Sequence, residues 1–376
     1  MKNYKKQLRA LAIICFVFLN VTAATAYNKV SFFVVAHQDD WQLFMGDVAY
    51  SEIQDPSNKV VIIYTTAGDA GSNIPPYFYS ETRQQGAINS VVFAANANKV
   101  SCKPPEKGKR NLNGKLIDYF AYKNTVSYFL RLPDGDISQP GLMALYNHTA
   151  SSNTLTAPAT TYTDWNDLVK TVKAIYNFEV ALGSNTWLHC AETNAKLNPN
   201  DHSDHVRSSL AAQEAAADLI CNKSFYVEYY ASKLNSNLPT ESLILKSALL
   251  TEYCSTMNQA GIFPNSWDSF HKSFLDKTYY RTVNCNNSDP ELLLEQNFPN
   301  PFTKNTNLVF DMPEEGFVTI TLYSSTGKMV KTYHQKEYTA GRQALVVDKS
   351  ELQGPGVYFC TMEAFGKTTT IKLICN

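Results

Sequence analysis

From Val30 the chain reads Val-Ser-Phe-Phe-Val-Val without a charge and then breaks at His37, Asp39 and Asp40. A short continuous run of β-branched and aromatic residues predicts a strand buried on both faces, as inside a parallel sheet. The same signal returns at Lys59 to Thr66, at Asn124 to Leu132 and, more briefly, at Thr186 to Cys190. Between these runs the spacing changes. Arg83, Ala87, Val91 and Ala95 recur every fourth residue and predict a helix from Glu81 to Asn96. Thr163 to Phe178, with Asp164 as N-cap, and the Ala-rich Ser208 to Ile220 predict two more. Strands alternating with helices imply right-handed βαβ units. The fold class is therefore α/β and Rossmann-like, with a mostly parallel sheet flanked by helices. Residues 101–123, rich in Lys, Gly, Pro and Asn, predict a surface excursion, and Gln139 to Tyr162 a long loop.

Past the polar stretch Asn284 to Pro290 the helical pattern disappears. Short strands follow at Leu308–Asp311, Val318–Tyr323, Lys328–His334, Gln343–Asp348, Val357–Met362 and Thr368–Leu373. Regular short strands between turns predict a small C-terminal β-sandwich. A last hairpin turning at Phe365-Gly366 sets Cys360 opposite Ile371, so Cys360 and Cys375 do not face each other.

Ligands of open α/β sheets lie beyond the carboxyl ends of the strands. An imidazole and two carboxylates at the end of the first strand are thus half of a metal or acid/base site. Neighbouring carboxylates also call for a cation or a proton between them. The second half is Asn198-Pro-Asn-Asp-His202-Ser-Asp204-His205, directly ahead of the Ala-rich helix. His205 then falls in or beside that helix's first turn, where the backbone favours negative charge. Asp134 stands in a Pro-Asp-Gly turn at another strand's end. His148, His189, His271 and His334 fit no such pattern and read as surface or strand histidines; Lys246 and Tyr253 read as structural.

The 376 residues, 44% hydrophobic and 12% aromatic, suffice for two domains with real cores. A net charge of −1 without charge runs excludes nucleic acid or an anionic membrane surface as the expected partner. The start is different: Lys2, Lys5, Lys6 and Arg9 precede the apolar Leu11 to Val21 and then Ala24-Thr25-Ala26. This is the layout of a signal peptide over residues 1–26, with a mature start near Tyr27. Cys15 lies inside the apolar run, which argues against a lipoprotein anchor. The remaining cysteines are Cys102, Cys190, Cys221, Cys254, Cys285, Cys360 and Cys375, an odd set with no CxxC spacing.

Ala36-His37-Gln38-Asp39-Asp40 resembles the Ala-His-Pro-Asp-Asp-Glu signature of the LmbE-like (PIG-L) N-acetylglucosaminyl de-N-acetylases, with Gln38 in place of the proline and Trp41 of the glutamate. His202-Ser203-Asp204-His205 resembles their His-Pro-Asp-His motif. The resemblance implies a zinc or other divalent ion held by His37, Asp40 and His205. It further implies Asp39 as general base toward metal-activated water, His202 as donor to the tetrahedral oxyanion, and Asp204 holding that imidazole. Arg83 and Asp134 correspond to substrate-binding positions. The reaction so implied is hydrolysis of the N-acetyl or N-acyl amide of an amino sugar, such as an N-acetylglucosamine-containing glycan. Two alternatives use the same fold: a non-catalytic sugar-binding protein, favoured by Gln38 and Trp41, and a metal-dependent esterase.

Gln296-Asn-Phe-Pro-Asn-Pro-Phe302, Gly327, Ala340-Gly341, Gly356-Val-Tyr358 and Lys372-Leu373 follow one another in the sandwich region. Together they resemble the C-terminal sorting domain of type IX secretion, the Por secretion tail of Bacteroidetes. This implies passage across an outer membrane, removal of the tail, and release or surface attachment, with the secretion machinery as partner. The layout so expected is a signal peptide at 1–26, a deacetylase-like domain at 27–283, a linker at 284–290 and a sorting domain at 291–376. No transmembrane segment is expected in the mature chain.

Overall fold

The computed structural model describes residues 27–72, 78–99, 104–135, 141–180, 184–220, 222–263, 266–284, 293–312, 316–338, 341–364 and 367–376. The expected leader, most of the linker, Cys102, Cys221, Cys285 and the Phe365-Gly366 turn lie outside the described residues.

The first apolar run forms β1 (Lys29–Val35), and the break after it opens two short helices, α1 (Asp40–Phe44) and α2 (Gly46–Gln54). Next come β2 (Asn58–Thr66), α3 (Phe78–Asn96), β3 (Glu106–Leu112), β4 (Lys115–Tyr122) and β5 (Thr125–Leu132). The expected long loop contains α4 (Leu142–Tyr146) and a small ladder of β6 (Ser152–Asn153) with β7 (Thr161–Tyr162). Then follow α5 (Trp165–Glu179), β8 (Asn185–Ala191), α6 (Ser203–Ala216), β9 (Asn222–Tyr226), α7 (Thr240–Gln259), α8 (Ser269–Lys272) and β10 (Tyr280–Val283).

These strands make one eight-stranded sheet in the order β10-β9-β8-β1-β2-β5-β4-β3. The five inner strands are parallel, and β10, β4 and β3 run antiparallel at the edges. The chain moves one way from β1 through β2 to β5 and the other way through β8 to β9. The carboxyl ends of β1 and β8 therefore flank the point where strand order reverses, where such sheets leave a crevice. Residues 101–123 are a correction to the surface-excursion reading. They supply the β3–β4 hairpin, whose Lys-rich outer strand is a solvated edge of the sheet.

Helices cover both faces, which explains the unbroken apolar runs. Phe33, Val35, Tyr64 and Phe129 pack with α2, α3 and α7, while Phe32, Val34, Val61, Ile63 and Leu130 pack with α5 and α6. Removing a fully buried ring such as that of Phe33 costs about 3–5 kcal/mol. Asp164 caps α5 as expected, its side chain accepting the Asp167 N–H. The Ala-rich helix begins five residues earlier than its Ala pattern suggests, because His202 caps it at Ser203.

The C-terminal part forms two antiparallel sheets. One joins β11 (Leu293–Leu294), β12 (Asn305–Met312) and β15 (Gly341–Asp348). The other joins β14 (Met329–Tyr338), β13 (Gly316–Ser324), β16 (Gly356–Ala364) and β17 (Lys367–Cys375). Leu308, Phe310 and Val347 of the first sheet share one apolar cluster with Ile320, Leu322, Met362 and Leu373 of the second, so the sheets face each other. Cys360 pairs with Ile371 in register. Cys190, Cys254, Cys360 and Cys375 are buried free thiols. Among the described residues no helix is long and apolar enough to cross a membrane.

Candidate active site

The end of β1 is anchored before it turns. The Ala36 carbonyl accepts from the Thr66 N–H at 3.1 Å and from Thr66 Oγ1 at 2.8 Å. Gln38, which stands where the motif has proline, donates Nε2–H to the Thr66 carbonyl at 2.9 Å. His37, Asp39 and Asp40 follow, all buried although they are polar. Asp40 Oδ2 accepts the His37 backbone N–H at 2.7 Å, which leaves its other oxygen aimed at two imidazoles.

His205, in the first turn of α6, meets them across the crevice. His37 Nδ1 and His205 Nε2 are 3.2 Å apart, and Asp40 Oδ1 lies 3.5 Å from the first and 3.4 Å from the second. Ligands bound about 2.0–2.2 Å from a tetrahedral zinc stand roughly 3.3–3.6 Å from one another. The three atoms form one face of such a tetrahedron, and the donor set suits a divalent ion. Other triads of donors lie within 4.8 Å of one another nearby, among them His37, His202 and His205. His202 Nδ1, however, already accepts the Asp204 backbone N–H at 3.2 Å as the helix cap.

The electrostatics point the same way. Burial alone would push the His37 pKa down, yet Asp40, Asp204 and Asp134 together raise it to about 10. Burial disfavours a charged Asp40, but His205 and His37 hold its carboxyl well below the usual range. Carboxylates outnumber cations around this pair of rings, and the cluster draws positive charge to its centre. On its far side His205 Nδ1 lies 2.7 Å from Glu228 Oε2 and 3.0 Å from Asp201 Oδ1. Acidic partners of this kind fix a ligating imidazole's tautomer and orientation. Neither was anticipated. Asp201 sits in the His202 motif one turn before His205, which was a usable signal; Glu228 follows β9 with no local pattern to mark it.

Asp39 lies beside the three donors. Its side chain does not cap α1 but turns to Arg83 Nη2 and Ser266 Oγ, both at 2.5 Å. Burial opposes its ionisation, and Arg83 outweighs burial, keeping the carboxyl below its ordinary pKa. Arg83 also donates from Nη1 to the Gly68 carbonyl at 2.7 Å and from Nε to Tyr253 Oη at 2.6 Å. Gly68 has a positive φ of 56°, and a Cβ there would lie 2.3 Å from Gln38 Oε1. Only glycine permits this approach.

Asp204 Oδ2 accepts the Gly135 N–H at 2.9 Å and stands 3.8 Å from His37 Nε2. Asp134 Oδ2 is 3.7 Å from the same nitrogen, and Asp134 Oδ1 is buried without a hydrogen-bond partner. Asp69 Oδ1 fixes this loop by accepting the Asp134 N–H at 2.7 Å. All eight residues singled out in the sequence thus converge: His37, Asp39, Asp40, Arg83, Asp134, His202, Asp204 and His205. Six of them, all but the fully buried Asp204 and His205, border a cleft of about 230 Å³ whose wall also includes Tyr79, Tyr229, Tyr253, Ser266, Asp268 and His271. Tyr253 therefore belongs to the site as well as to the core. His271, expected at the surface or in a strand, stands in the cleft wall with Nδ1 2.7 Å from Asp268 Oδ2. Lys246 is structural as expected: its Nζ donates to the Phe274 carbonyl and to Thr278 Oγ1, both at 3.1 Å.

Fold and centre define a class: an open α/β sheet carrying a histidine–carboxylate centre at its crevice, followed by a tail of two antiparallel sheets. Residues 296–376 match the secretion system C-terminal sorting domain, beginning at the Gln296 motif. No curated protein matches the chain. The N,N'-diacetylchitobiose deacetylase from Pyrococcus horikoshii, solved with its inhibitor MPG, is 14% identical over 66% of this chain and 75% of its own, with a TM-score of 0.38. The Ig1 domain of mouse SynCAM 2 is 12% identical over 23% of this chain and 94% of its own, with a TM-score of 0.16. Both overlaps are too loose to assign an activity, which rests instead on the centre's own geometry.

Proposed function

We propose that the chain is a secreted, zinc-dependent hydrolase that removes the acetyl or other acyl group from the nitrogen of an amino sugar. The observation that carries this reading is the triangle of His37 Nδ1, Asp40 Oδ1 and His205 Nε2, with edges of 3.2–3.5 Å. An ion held by these three atoms supplies Lewis acidity to the amide carbonyl and to water. Asp39, kept ionised by Arg83, accepts a proton from the attacking water and passes it to the nitrogen as the C–N bond breaks. The products are a carboxylate and a free amine.

His202 has its Nδ1 lone pair committed to the Asp204 N–H, so a neutral ring carries its proton on Nε2 and can donate it to the oxyanion. Asp134 Oδ1, buried and unpartnered at the cleft, suits a sugar hydroxyl. Arg83 positions Asp39 with three of its five N–H donors engaged inside the protein, and, lining the cleft, it keeps its substrate-binding assignment. Asp204, through the Gly135 N–H, ties the cap of α6 to the Asp134 loop.

The sorting-domain match supports delivery through the type IX route, with residues 1–26 removed as signal peptide and 291–376 as tail. Residues 27–283 then constitute the enzyme and 284–290 its linker. Metal analysis of the purified protein, together with acetate release from N-acetylglucosamine oligosaccharides, tests the reading. One equivalent of bound divalent metal with acyl release supports it; absence of both refutes it.

A further inference from the structure

Helix α3 serves two cavities. Tyr79 and Arg83 face the cleft, whereas Glu81, Gln84 and Ile88 line a second cavity of about 670 Å³ between this helix and the β3–β4 hairpin. No residue lines both. Arg131, near the end of β5, sets the second cavity apart. It is 6% exposed, lines the cavity, and its Nη2 has no hydrogen-bond partner. Glu81 Oε1 stands 3.7 Å from Nη2 and Asp118 Oδ2 3.7 Å from Nη1, both beyond hydrogen-bond reach. Asp118 is already paired through Oδ1 with Lys109 Nζ at 2.8 Å. A buried charged donor left unpaired is costly, and such an orphan calls for a partner. The backbone bends to aim it. Arg131 has a φ of 58°, in the left-handed region that residues other than glycine rarely adopt. Between the pairs Tyr64–Phe129 and Thr66–Leu132, β5 carries one residue more than β2. Bulges of this kind redirect a side chain toward a site, and the strain they hold is kept at ligand clamps.

We propose that this cavity is a binding site for a small organic monocarboxylate, independent of the reaction at the cleft. The charge of the lining selects the head group. Arg131, Lys107 and Lys109 stand against Glu81 and Asp118, which leaves a single positive charge. A carboxylate cancels that charge, and its two oxygens match the planar fork of a guanidinium. A phosphate dianion would overcharge a cavity that already holds two carboxylates. The walls select the body of the ligand. Ile88, Tyr119, Phe120 and Phe129 present apolar surface beside the charged groups. Such a mixture, mostly apolar with a few polar groups that fix orientation, is the character of a small-molecule site of this volume. A ring or short alkyl chain behind the carboxylate fills space that a bare ion leaves to water.

The test is calorimetric titration of benzoate, acetate and inorganic phosphate into the metal-loaded full-length chain at neutral pH. Benzoate should bind saturably and more tightly than acetate, and phosphate should not displace it. Arg131→Gly suits the left-handed backbone, so it should keep the wild-type Tm while benzoate affinity falls roughly 10- to 100-fold. Lys107→Glu reverses a charge on the exposed edge strand and should weaken benzoate roughly threefold. That variant decides the matter should Arg131→Gly fail to fold. Equal benzoate affinity in the wild type and in the folded variants would place the anion elsewhere, the metal centre included, and overturn the proposal. Phosphate held through Arg131 in place of benzoate would make this an inorganic-anion site. Absence of any binding would leave the orphan nitrogen to water. Either result also overturns it.

Discussion

Replacing Glu228 by glutamine tests what holds the proposed ligand His205 in place. The carboxylate is 1% exposed, and its Oε2 is 2.7 Å from His205 Nδ1, with Asp201 Oδ1 at 3.0 Å from the same nitrogen. Glu228→Gln keeps the size and one acceptor oxygen but removes the charge. Hydrogen bonds with an ionised partner are about twice as strong as neutral ones, and Asp201 remains to carry part of the load. The single change should therefore weaken metal binding about tenfold, or about 1.4 kcal/mol, the lower end for groups that orient a ligand. Adding Asp201→Asn should bring the loss near 100-fold. The fold should barely respond, because the amide fills the same buried volume and Asp201 still faces His205. Competition with a chromophoric zinc chelator gives the affinity, and thermal unfolding of metal-free protein gives the stability. Unchanged affinity in the double variant, or a fall in Tm without a fall in affinity, would refute the reasoning.

Asp39→Asn should keep its metal and lose roughly 10²–10⁴-fold in turnover, whereas Asp40→Asn should lose metal and activity together; full acyl release by metal-replete Asp39→Asn would discard Asp39 as the base. Burial pushes the strand residue His189, stacked on Phe33, down to about 3. The unfolded chain takes up that proton below pH about 6.5, so stability falls as pH drops, by about 2 kcal/mol at pH 5. Acid unfolding of His189→Gln should lack this share, and superimposable profiles would contradict it. Mass spectrometry of the exported protein should find an N-terminus near Tyr27 and an end before residue 296; an intact tail on the mature protein would count against sorting by that region.

What the sequence determined by itself is the part carried by repetition and by short motifs. β1, β2, β5 and β8 were legible because strands covered on both faces must be apolar throughout. The six long C-terminal strands were legible from their even spacing and turns. His37, Asp39, Asp40, His202, Asp204 and His205 were legible because each motif directly follows a strand or opens a helix, where an α/β sheet places its chemistry. The tertiary structure decided the rest. The β3–β4 hairpin escaped because a solvated, Lys-rich edge strand has the composition of a loop. Asp201, Ser266, His271 and Glu228 escaped because a side chain's role here depends on what lies across the crevice. Ser266 meets Asp39 across 227 residues of chain, a partnership that no local periodicity records. Glu228 acquires its role only when β9 docks beside β8 and carries the carboxylate to the back of His205.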